Sequence, residues 1–118
     1  MAKLILGGQE YPLMMTVRVL ADMEASGIAI NDIPKLFSLS HHPLKEAIHN
    51  GVSFLHKLLG AGQDAAAIRD GTEPKPVPPL EVLERLLVPW QVWALCDAAI
   101  TDSLVRTVEA APEKNEAQ

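Results

Sequence analysis

Histidine is the residue type in this chain with the most chemistry to offer, and three of the four recur at a fixed interval. His42, His49 and His56 stand seven residues apart, with Glu46 and Ser53 between them. Histidine and glutamate on one helical face are a way to hold a metal ion. Adding about 100° per residue, however, sets this stripe almost opposite Leu44, Ile48 and Leu55, on the solvated side of an amphipathic helix. Histidines two turns apart cannot share one ion. Only Glu46 with His42 or His49 could do so, which gives two ligands at most, and no metal is expected. Cys96 lies in an apolar stretch beside Asp97, an environment that raises a thiol pKa, and reads as a small buried hydrophobe. Ser38, Ser40 and Ser53 lie near histidines, yet no Gly-x-Ser-x-Gly elbow is present. Gly7-Gly8 lacks the helix start and the Lys-Ser/Thr pair of a phosphate loop. Glu81 and Glu84 fall on an exposed helical face. The residues therefore support neither an enzyme nor a bound cofactor.

Composition bounds the scaffold. The 118 residues fit one domain of ordinary size, and 48% of them are hydrophobic. Only Tyr11, Phe37, Phe54, Trp90 and Trp93 are aromatic, so the core must be aliphatic. No run reaches the ~18 apolar residues of a membrane span. Met1-Ala2-Lys3 with three apolar residues after it is too short for a signal peptide. One cysteine excludes an internal disulfide and any cysteine-based zinc module. The expectation is a soluble, cytoplasmic protein. Its net charge of −5 arises entirely in the second half: residues 1–60 hold five bases and five acids, residues 61–118 five bases and ten acids. Without clustered Lys and Arg, nucleic acid is not an expected partner. The acidic half chiefly favours solubility.

Turn residues divide the chain. Lys3–Leu6, Gly7-Gly8 and Gln9–Leu13 read as a β-hairpin, because glycine reaches the positive φ of a tight primed turn without steric cost. From Thr16 the period becomes helical, with Val19, Leu20 and Met23 on one face, Thr16 as cap and Gly27 as stop. A short helix follows from Asn31 or Asp32, turning Ile33, Leu36 and Phe37 inward. The strongest helical signal covers Pro43 to Leu59, where Leu44, Ile48, Gly51, Leu55 and Leu58 form one stripe and Gly60 and Gly62 mark the end. Residues 61–79 break the pattern: the composition allows a turn of helix around Asp64–Arg69, which gives way to Asp70-Gly71, and then Pro74, Pro76, Pro78 and Pro79 impose extended chain. Helices are expected over Leu80–Val88 and from Pro89 to about Val108, with a polar, disordered tail over 112–118. The domain plan is a hairpin and helical half (1–60), a Gly/Pro-rich linker (61–79), a C-terminal helical half of the same domain (80–111) and the tail. The fold class is α+β and mainly α-helical, one N-terminal hairpin preceding four to five helices.

The last helix is apolar over most of its circumference. Trp90, Trp93, Ile100, Leu104 and Val108 cover one face, and Val92, Leu95 and Ala99 much of another. Such a helix must be covered on both sides, either as a central core element or by a partner. Trp90, Trp93, Leu95, Ile100 and Leu104 are the candidate partner-binding residues.

The opening Lys3-Leu4-Ile5-Leu6-Gly7-Gly8-Gln9-Glu10-Tyr11-Pro12-Leu13 resembles the start of the small tail assembly chaperones of long-tailed phages and gene transfer agents. There a hairpin, often Leu-Gly-Gly-x-x-Tyr-x-Leu, leads into a helix ending at a Gly-Ile step, here Gly27-Ile28. Asn31–Leu39 and Pro43–Leu59 resemble the two helices that follow, so the likeness covers most of residues 3–59. The Pro-rich stretch at 74–79 and the Trp90/Trp93 pair depart from the pattern. The resemblance implies a self-associating protein that coats the tape-measure protein in the bacterial cytoplasm and gives way to the tail tube protein. A structural tail or head-completion component retained in the particle is the alternative.

Overall fold

The computed structural model describes residues 2–116, with side chains through Ser103. Its elements are β1 (Lys3–Leu6), β2 (Gln9–Pro12), α1 (Val17–Ala25), a 3₁₀ helix (Ile30–Phe37), α2 (Leu44–Asp70), α3 (Leu80–Leu86) and α4 (Pro89–Glu116). The fold is α+β and mainly helical. Helix α4 runs on to Glu116, so it does not end near Val108, and residues 112–116 of the expected disordered tail belong to the helix; the side chain of Leu104 lies outside the described residues.

The two strands pair antiparallel, Leu6 opposite Gln9 and Lys3 opposite Pro12. Gly7 and Gly8 both hold positive φ, 59° and 79°, which defines the primed two-residue turn expected of that pair. Thr16 caps α1: its side-chain oxygen accepts from the Val19 amide at 3.3 Å, leaving one fewer orphan donor at the helix start. Val19 and Met23 are buried, and Gly27 at φ 86° turns the chain away. Ile33 and Phe37 hold the 3₁₀ helix against the core. The Asn50 amide ties that helix to α2 by donating to the Leu36 carbonyl at 2.8 Å.

Helix α2 is the central element, in contact with β2, α1, the 3₁₀ helix, α3 and α4. It corrects the expectation in two respects. Gly60 and Gly62 do not end it. The helix continues through both to Asp70, and Gly71 in the left-handed conformation stops it there. Each helical glycine costs about 1 kcal/mol relative to alanine, but Ala61, Gly62, Gln63 and Ala67 are buried, and tertiary packing outweighs the local preference. The extended stretch is accordingly shorter than 61–79, starting after Gly71, with Val77 packed on the core and Pro79 opening α3. Leu44, placed on the buried stripe by its period, is instead 55% exposed, because it sits in the first turn of α2 ahead of the packed region.

Gly62 has a steric reason to be glycine. A Cβ there would run into the Pro12 carbonyl of β2, a backbone group that cannot rotate away. Nothing lies within 4 Å of a Cβ at Gly60. The two glycines should thus respond oppositely to alanine. Gly60→Ala should stabilise the fold by up to about 1 kcal/mol. Gly62→Ala should destabilise it by about 1–3 kcal/mol or more. Urea melts of both variants check this, and equal shifts would contradict the close contact.

Candidate partner-binding surfaces

Helix α4 crosses α2 at Gly51. A Cβ on that glycine would stand 3.1 Å from Val92 Cγ1 and 3.7 Å from Trp93 Cδ1, so the missing side chain sets how closely the helices approach. Val92, Cys96 and Ala99 form the buried seam of α4, and the Cys96 thiol donates to the Gly51 carbonyl at 3.6 Å. Burial, with a smaller contribution from Asp97, pushes the Cys96 pKa up to about 12. The thiol is a packed hydrophobe under ordinary conditions, not a nucleophile.

The five candidate residues of α4 divide. Trp90 is 72% exposed. Trp93 is half-buried against the core, and the two indoles meet edge to face with centroids 5.1 Å apart. Leu95 and Ile100 are likewise half-buried and packed on the core. The buried Trp93 Nε1 has no hydrogen-bond partner among the described residues. Trp90 is therefore the residue of this set most available to a partner, while Trp93, Leu95 and Ile100 mainly support the fold. Exposed Leu86 and Val88 precede Trp90 at the α3–α4 junction.

A second surface was not foreseen, because the sequence pattern ended α2 too early. The continuation of α2 and helix α1 together enclose a groove of about 570 Å³. Gly60, Ala61 and Ala65 keep its α2 wall low, and Val19 contributes from α1. Ile68 lines it while 82% exposed, and Val17 beside it on α1 is 83% exposed. Charges of both signs line it as well: Arg18 and Lys57, Asp22 and Asp64. The signal that would have located it is Ala61, Asp64, Ala65 and Ile68, spaced three and four apart.

Glu46 and His49 are exposed and His56 half-exposed along α2, and His42 is half-exposed two residues before that helix starts. Among the described residues no three His, Cys, Asp or Glu side chains gather where one metal ion could be held. Among the described residues no helix is long and apolar enough to cross a membrane. No family model, curated protein or solved structure matches the chain.

Two measurements test these assignments. Trp93→Ala should cost about 3 kcal/mol of stability, whereas Trp90→Ala should fall within about 0.5 kcal/mol of the parent. The Cys96 pKa is raised on folding, so its contribution is intact below the ordinary thiol value of 9.0 and is lost as pH climbs toward about 12. Across that window the parent should lose stability faster than Cys96→Ala, by up to ~1.4 kcal/mol per pH unit. Parallel pH profiles of the two would refute the assignment.

Proposed function

We propose that this chain is a non-enzymatic tail assembly chaperone of a long-tailed phage or prophage, which binds the tape-measure protein in the bacterial cytoplasm and keeps it soluble. The resemblance of residues 3–59 to that family supports the reading. The observation that carries it is the groove between α1 and the second half of α2, with its small-residue wall and the exposed Ile68. An exposed apolar side chain on such a groove suits reversible capture of an amphipathic helix, with the charged residues lining it fixing orientation. A tape-measure protein is a long, largely helical chain that aggregates when its apolar faces stay uncovered. Trp90 offers a second anchor of the kind that dominates binding surfaces. Self-association of the chaperone, and its displacement by the tail tube protein, belong to the same proposal.

Co-expression is the direct test. The tape-measure protein should be soluble with this chain and insoluble without it. Ile68→Asp alters only an exposed side chain, so the variant should fold normally and yet lose most of that solubilising effect. Equal solubility with and without the chain would defeat the proposal. Recovery of the chain from purified particles by mass spectrometry would replace it with the structural-component reading.

A further inference from the structure

Four charged side chains line the α1–α2 groove, Arg18 and Asp22 on α1 and Lys57 and Asp64 on α2. Among the described residues none of the four makes an ion pair. Elsewhere Lys3 pairs with Glu10, Lys35 with Asp32, Arg69 with Asp70 and Arg85 with Glu81. The groove is also balanced in sign, two bases against two acids, in a chain whose net charge is −5. A surface of one sign repels its own copy. A balanced one pairs with itself wherever a two-fold rotation exchanges its opposite charges.

Lys57 and Asp64 meet that condition. Seven residues apart, they are both exposed and share one side of α2, about 10.5 Å from each other along the axis. In an antiparallel pair of α2 helices with the two-fold axis midway between them, at Gly60–Ala61, each lysine faces the partner's aspartate. Gly60 marks the same place by a separate observation. Gly51 and Gly62 are accounted for within the chain, since a Cβ there would meet Val92 and the Pro12 carbonyl. A Cβ at Gly60 has nothing within 4 Å, so no contact inside the protomer calls for glycine. Its cost in helix preference is offset where a second helix comes close. Val17 and Ile68, 83% and 82% exposed beside the groove, supply apolar surface that such an approach covers.

We propose that a second copy of this chain closes the groove, the two α2 helices crossing antiparallel at Gly60–Ala61 with Lys57 of each protomer paired to the partner's Asp64. The contact is isologous, so it stops at a dimer. A helix captured in the groove must displace the second copy, and capture and dimerisation exclude each other. That exclusion rests on the groove being the site of the chaperone reading; the pairing itself does not.

Sedimentation equilibrium of the full chain is the test. The parent should show a monomer–dimer equilibrium that weakens with added salt. Lys57→Asp and Asp64→Lys alter exposed side chains, and each should weaken the dimer by about tenfold or more, because both symmetry-related contacts become repulsive. The double variant should restore most of the loss. Gly60→Leu should weaken the dimer similarly while the protomer keeps its circular dichroism. A chain that stays monomeric would overturn the proposal, as would single variants that dimerise like the parent or a folded double variant no better than either single. Added tape-measure protein should release protomers, and a complex that retains the dimer would overturn the exclusion. Loss of the solubilising effect in co-expression, with the dimer responding as described, would defeat only the chaperone reading.

Discussion

The approach of the Pro12 carbonyl to Gly62 is the contact on which the arrangement depends. A two-stranded hairpin is marginal by itself in water. Here it is held because its outer edge lies directly on α2, with the Met14 amide bonded to the Leu58 carbonyl one helical turn before Gly62. Any side chain at position 62 would hold strand and helix apart. Leu4 and Leu13, both buried in the shared core, would then lose their neighbours. The glycine that lowers local helix preference is thus what lets the helix be covered.

The same device recurs at Gly51, where α4 is the element that approaches. Two glycines eleven positions apart on one helix admit a strand edge and a second helix. Between and around them Val52, Phe54, Leu55, Leu58 and Leu59 are all buried, and Phe54 stacks near Phe37 of the 3₁₀ helix. With α2 covered by the hairpin, the 3₁₀ helix and α4, little apolar surface is left for α1. Its looser seat opens the groove beside Ile68. Binding surface and core are therefore two outcomes of one allocation of apolar area around α2.

That allocation also separates the two tryptophans. Val92, Cys96 and Ala99 fill the space facing Gly51, so Trp93, one position past the seam, is only half covered. Trp90 lies a turn earlier, at the helix start, and is 72% exposed. An indole left mostly in water with Leu86 and Val88 nearby is surface that a partner can cover at little cost to the fold.

The sequence by itself determined the local elements whose rules need only near neighbours. Gly7-Gly8 fixed the hairpin turn, Thr16 the cap of α1, and Pro89 with the period after it the start of α4. It also determined that Glu46 and His49 would face outward, since the period of α2 sets them against Ile48 and Leu55. Tertiary structure alone decided where α2 ends, because Gly60 and Gly62 look alike in sequence and only the position of Pro12 distinguishes them. It decided that Ile68 would stand exposed on a groove, since that follows from the added turns of α2. Which side of α4 became core was decided in the same way. Helical period can show that two faces are apolar, but only the space opposite Gly51 selects the face carrying small side chains.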